Sequence, residues 1–179
     1  MDTHSNYFDL FHLPVQIPVD IQKLSTEYQQ LQRMYHPDNF ATAPEAEKMM
    51  MLQKSATIND AFQTLKDPIL SASYLLTLKG IDVSAEHNII NDTDFLMEQF
   101  ILREQLDSIE QQLNQSQKEQ ELEAFSLEIK QKYQDTYQDL LDCLQQSEWQ
   151  NGLNVVNKLR YLTRLRQQID QLEDSLFAL

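Results

Sequence analysis

A chain of 179 residues with only two glycines, Gly80 and Gly152, has almost none of the tight reversals that β-hairpins require. Period-two alternation is equally scarce, and apolar residues instead recur at spacings of three and four. The expected fold is therefore all-α. Ile21, Leu24, Tyr28, Leu31 and Tyr35 share one helical face, with Asp20 placed to cap the first turn. Pro37 ends that helix, because proline has no N–H and disfavours α geometry in the residue before it. Helical spacing restarts at Pro44, followed by acids that suit a helix N-terminus, with a stripe through Met49, Leu52, Ala56, Phe62 and Leu65. It stops at Lys66-Asp67-Pro68, after which "ILSASYLLTLKG" reads as a shorter apolar helix closed by Gly80 at its C-terminal cap. Two longish helices thus form an antiparallel hairpin around residues 36–38, with short helices before and after.

Residues 81–93 lose the period and concentrate turn formers, which places a linker there between domains at 1–80 and 94–179. Segments of about 94–115, 118–146 and 148–177 then read as long amphipathic helices, the pattern of a small three-helix bundle. "SEWQ" at 147–150 fits a Ser-x-x-Gln capping box. "EQQLNQSQKEQ" reads as a solvated helix end and turn, since no strict heptad persists through it.

Charge removes several classes of function. With 14 Lys+Arg against 28 Asp+Glu, the net charge of −14 repels phosphate backbones and anionic lipid surfaces, so neither nucleic acid nor membrane is an expected partner. No apolar run approaches the roughly 20 residues that span a bilayer. The first residues, "MDTHSNYFDLFHLP", lack the features of an export signal, and a cytoplasmic location is expected. Cys143 stands alone, which excludes an intramolecular disulfide and suits a small buried hydrophobe. His4, His12, His36 and His87 show no metal-ligand spacing, so no metal and no cofactor are expected.

His36 and Asp38, two positions apart on a proline corner, are compatible with an acid/base dyad, a metal-ligand fragment or a rigid loop that a partner reads. A dyad needs a nucleophile or water site and an orienting group, and no GxSxG, P-loop or HExxH motif supplies one. Taken alone, His-Pro-Asp is a helix stop in which Asp38 bonds local backbone. Its surroundings say more. Tyr35-His36-Pro37-Asp38 lies between two apolar helices and is followed by "INDAFQTLKDP" at 58–68 and Tyr74-Leu75-Leu76. With these features, residues 1 to about 78 resemble a J domain. The resemblance implies that His36, Pro37 and Asp38, with Asn39, Phe40 and Arg33 as neighbours, engage a DnaK-class heat-shock chaperone and stimulate its ATP hydrolysis. The chain itself is then not an enzyme. It departs from the family's basic second helix, offering only Lys23 and Arg33 as cations over residues 21–35.

On the helix beginning near residue 94, Leu102, Leu106, Ile109 and Leu113 share a bundle-facing side with Phe95. Leu96, Met97, Phe100, Ile101 and Glu104 fall on a stripe roughly opposite, an apolar face left for a partner. "DTDFLMEQFILREQLD" at 92–107 and "KLRYL" at 158–162, behind a J domain, make essentially the whole chain similar to the HscB family of iron–sulfur co-chaperones. That resemblance implies that Leu96, Met97, Phe100 and Glu104, with Tyr161 on the last helix, bind an IscU-type cluster scaffold and deliver it to the HscA-type chaperone. Ile101 and Ser108 stand where relatives can carry acids, which makes the contact more apolar. No CxxC pairs precede the J domain, as expected of a bacterial-type member. Two other functions compete: a general J-domain co-chaperone or holdase for unfolded clients, and a metal-independent hydrolase built on His36 and Asp38.

Overall fold

The computed structural model describes residues 6–40, 42–84 and 93–177. His4, His87 and most of the stretch read as a linker lie outside the described residues. Among those described there is no strand, and the chain divides into two compact units, Met1–Gly80 and Ile81–Leu179.

In the first unit, α1 (Tyr7–Leu10) is followed by α2 (Ile21–Met34), a 3-10 turn (Pro37–Phe40), α3 (Glu45–Lys66) and α4 (Pro68–Leu78). Asp20 caps α2 as its sequence position implies, its carboxylate accepting from the Lys23 N–H at 3.0 Å. Asp67 does the same for α4, accepting from the N–H groups of Ile69 and Leu70, both at 2.8 Å. Pro68 fits there because the first turn of a helix has N–H groups without intrahelical partners. Gly80 follows the Lys79 cap with φ +82°, the left-handed backbone that closes the helix.

The core of this unit joins Leu24 of α2 to Ile58, Ala61 and Leu65 of α3 and Ala72 and Leu76 of α4, with Phe8 and Phe11 from the N-terminal segment. Tyr28 stacks on Phe62 with ring centroids 3.9 Å apart, and Tyr7 on Tyr74 at 4.5 Å. The Tyr7 N–H also donates to the Tyr74 hydroxyl at 2.9 Å, which fastens α1 to α4.

The α2 face is as expected at Leu24 and half-buried at Tyr28, Leu31 and Tyr35, but Ile21 is exposed. The α3 stripe needs a larger correction. Met49, Leu52 and Ala56 are exposed, and Ile58, Ala61 and Leu65 carry the burial. The reason is length. At about 1.5 Å per residue, α3 with 22 residues outruns α2 with 14 by roughly 12 Å, which leaves Met49 and Leu52 in its first turns beyond the end of α2.

In the second unit, α5 (Thr93–Glu110), α6 (Gln115–Gln145) and α7 (Trp149–Phe177) bury Leu102, Leu106, Ile109, Leu122, Phe125, Ile129, Leu162, Leu165 and Ile169 together. The Gln-rich stretch is a helix end and turn: α5 stops at Glu110, and Asn114 caps α6 by accepting from the Gln117 N–H at 3.0 Å. Leu113 therefore lies past the helix, 98 % exposed, and does not join the core. The capping box at Ser147 is also corrected. Ser147 has φ +60°, with its N–H donating to the Leu144 carbonyl at 3.2 Å and the Glu148 N–H to the Cys143 carbonyl at 2.9 Å. That is the Schellman closure of α6, not the start of α7. Cys143 is half-buried, its thiol pushed up by that burial and by Glu148, Asp139 and Asp142.

Candidate functional site

The His-Pro-Asp corner stands at the exposed end of the α2–α3 hairpin. His36, Pro37, Asp38 and Asn39 are exposed, and Phe40 is half-buried. Among the described residues, no backbone N–H donates to the Asp38 carboxylate, and it is the Asn39 side chain that bonds the backbone. Its Nδ2 donates to the Arg33 carbonyl at 2.8 Å and the Met34 carbonyl at 3.4 Å, satisfying acceptors that α2 leaves open at its C-terminus. The corner is thereby held against α2 while its other side chains stay free to meet a partner.

His36 Nδ1 accepts from the Asp38 N–H at 3.3 Å and lies 3.6 Å from the Asp38 carboxylate. In the first contact Nδ1 acts as the acceptor, which requires the tautomer with the ring proton on Nε2. An acid/base pair needs a third group to orient the histidine, and no such partner of His36 is present among the described residues. On one side of the corner, Tyr35, Pro37, Phe40, Lys48, Met51 and Leu52 line a cavity of about 170 Å³. On the other, Gln29, Gln32, Arg33, His36 and Asn39 line a depression of about 370 Å³.

The second surface lies on α5, and its orientation follows from how that helix is held. Phe95 is 3 % exposed, meets Tyr161 edge-on with centroids 5.9 Å apart, and lies under Lys158 at 5.2 Å. The Tyr161 hydroxyl donates to the Gln99 carbonyl at 2.9 Å. Burial pushes the Tyr161 phenol above its ordinary value, with Arg103 lowering it and Glu98 raising it less strongly, so the hydroxyl stays a donor at neutral pH. Lys132 of α6 donates to Glu98 at 2.7 Å, a hydrogen bond that raises the Lys132 pKa, and Arg103 donates to Gln168 of α7 at 2.9 Å.

With these ties on its flanks, α5 turns Leu96, Met97, Phe100 and Ile101 outward at 51 %, 58 %, 59 % and 56 % exposure, with Glu104 beside them. Four large apolar side chains spaced along one helix form a continuous patch of the kind that marks an interaction site. Tyr161 on α7 is half-buried beside α5. The ties of Glu98, Arg103 and Tyr161 across the bundle were not evident from sequence, since each joins positions more than thirty apart.

Among the described residues, no group of three His, Cys, Asp or Glu side chains is arranged to hold a metal ion, and no helix is long and apolar enough to cross a membrane.

Residues 91–170 match the family model described as the HscB C-terminal oligomerisation domain. Among solved structures, the chain is similar to the chaperone HscB from Vibrio cholerae, with 41% identity, a TM-score of 0.84, and 96% of this chain and 99% of that one covered. It is also similar to human co-chaperone protein HscB, at 27% identity and a TM-score of 0.86 over 97% of this chain and 84% of that one. The Jac1 co-chaperone from Saccharomyces cerevisiae shares the fold at 21% identity, with a TM-score of 0.69 over 93% of this chain and 95% of that one. With helical architecture, outward apolar stripe and near-complete coverage of a 41%-identical relative in agreement, the chain belongs to the HscB co-chaperone family.

Proposed function

We propose that this protein binds an IscU-type iron–sulfur cluster scaffold, delivers it to an HscA-type, DnaK-class heat-shock chaperone and stimulates that chaperone's ATPase. It thereby supports cluster assembly and transfer and the maturation of iron–sulfur proteins. The observation that carries the reading is the placement, in a member of this family, of two exposed residue groups on separate compact units: the His36–Asp38 corner and the α5 stripe.

In this reading residues 1–80 act as the J domain, 81–93 as a linker and 94–179 as the scaffold-binding domain, in the cytoplasm. His36, Pro37, Asp38, Asn39, Arg33 and Phe40 meet the chaperone. Leu96, Met97, Phe100, Ile101 and Glu104 meet the scaffold, with Tyr161 as a further contact on α7 whose hydroxyl also holds their helix through its bond to the Gln99 carbonyl. The bond that breaks is the terminal phosphoanhydride of ATP held by the partner, its phosphoryl group passing to water, and this chain contributes docking. Its gain is proximity, because carrying scaffold and J domain in one chain raises the concentration of one partner at the other.

The reading is tested by titrating purified scaffold into the protein by calorimetry, with and without a large excess of an unfolded polypeptide, and then adding the chaperone. Saturable scaffold binding that resists the competitor and persists in a ternary complex supports it. Displacement by the competitor favours a holdase for unfolded clients, and absence of scaffold binding contradicts it.

A further inference from the structure

Residues 81–179 carry two sulfur atoms, on Met97 and Cys143, and they sit in opposite chemical settings. Cys143 is half-buried near the end of α6, where burial and the carboxylates of Glu148, Asp139 and Asp142 push its thiol up. Oxidants act on the thiolate, so at neutral pH this thiol is a poor target. The Met97 thioether needs no deprotonation, and it lies exposed within the α5 stripe. Its neighbours hold it there: Glu98 accepts from the Lys132 ammonium at 2.7 Å, and the Gln99 carbonyl accepts from the Tyr161 hydroxyl at 2.9 Å. One turn further along the helix, the side chains of Phe100 and Ile101 are hydrocarbon and offer no hydrogen-bond donor. A polar group formed at Met97 and then covered by a partner therefore loses water without replacement from these neighbours, and burying an unpaired polar group is unfavourable.

We propose that Met97 is an oxidation site through which peroxide switches off scaffold binding. The thioether sulfur attacks one oxygen of hydrogen peroxide, so that the O–O bond breaks as the S–O bond forms. Sulfur gives up two electrons, and the departing hydroxide takes the proton of the transferred oxygen and leaves as water. The product is a sulfoxide, polar and chiral where the thioether was apolar and flexible. Met97 stands outside the buried cluster of the bundle, so the change falls on recognition and leaves the core intact. The inference rests on the scaffold-binding reading above and names how that same surface is regulated.

The test treats the protein with hydrogen peroxide until the exposed Met49 and Met50 are fully converted, follows each methionine by peptide mass, and titrates scaffold into treated and untreated samples by calorimetry. Conversion at Met97 is expected, with a rise of about tenfold or more in the scaffold dissociation constant. Reduction by the two methionine sulfoxide reductases, one for each sulfur epimer, is expected to restore the untreated value. Met97→Leu locates the effect, because the ratio between its own treated and untreated forms should stay below about threefold. Met97 left reduced while Met49 and Met50 are oxidised overturns the inference. So does a rise smaller than about tenfold, a loss that the reductases leave in place, or a ratio above about threefold in Met97→Leu. Untreated protein that fails to bind scaffold removes the scaffold reading itself, a result distinct from binding that peroxide leaves unchanged.

Discussion

Phe95 and Phe100 lie five residues apart on α5 in opposite surroundings, 3 % and 59 % exposed, so a pair of alanine substitutions separates packing from recognition. Phe95→Ala removes a ring seated against Tyr161 under Lys158 and leaves a cavity, with an expected cost of about 4 kcal/mol. For a unit of this size each kcal/mol lowers the melting temperature by about 4 to 8 °C, so the loss is large in a thermal scan. Phe100→Ala removes no comparable contact and is expected to change stability by less than about 0.5 kcal/mol. If a partner covers the remaining 59 % of a ring residue of roughly 200 Å², about 120 Å² leaves water, worth at most about 3 kcal/mol at 25 cal/mol per Å². After ordering costs, about 2 kcal/mol is expected, a roughly thirtyfold rise in the scaffold dissociation constant. Urea denaturation and scaffold calorimetry on both variants make the comparison. A loss of stability above about 1 kcal/mol in Phe100→Ala, or unchanged scaffold affinity, refutes the assignment of the stripe to recognition.

Three further perturbations test the framework that holds the two surfaces. Asp20→Ala deletes the cap on the Lys23 N–H and is expected to cost about 1 kcal/mol in urea, without changing scaffold binding. Gly80→Ala meets no atom within 4 Å, so its expected cost of about 1 kcal/mol comes entirely from forcing a Cβ into φ +82°. Tyr161→Phe loses the bond to the Gln99 carbonyl, about 1 kcal/mol near neutral pH. Because the folded pKa of Tyr161 is raised, its contribution is full below the unfolded value of about 10 and is lost as pH rises through the folded value. Urea midpoints between pH 7 and 11 should therefore fall less steeply at the alkaline end in Tyr161→Phe than in the wild type.

The helices were legible wherever pattern and punctuation agreed. Asp20 and Pro37 bracket α2, Asp67-Pro68 starts α4, and Gly80 closes it, because caps and breakers act through local backbone chemistry that the sequence carries directly. The outward stripe of α5 was legible for a related reason: helical spacing places Leu96, Met97, Phe100 and Ile101 together and away from Phe95, Leu102 and Leu106. Spacing alone does not say how far a neighbouring helix reaches. Met49 and Leu52 keep the period of a core face yet lie where α3 runs past α2. Ser147 has the composition of a cap, but the preceding helix uses the position in left-handed geometry to close itself. At the corner, composition pointed to Asp38 as the backbone partner, whereas the groups α2 leaves open there are carbonyls, which the Asn39 amide can donate to and a carboxylate cannot.

The most direct test is ATP turnover by the HscA-type chaperone with wild-type protein or His36→Gln, each with and without scaffold. The His36 side chain is exposed and accepts a 3.3 Å bond from the Asp38 N–H, so the substitution should leave the melting temperature within about 4 °C. The account predicts that wild type accelerates turnover, that scaffold raises the rate further, and that His36→Gln abolishes stimulation while scaffold still binds. Full stimulation by His36→Gln, or acceleration that ignores scaffold, contradicts it.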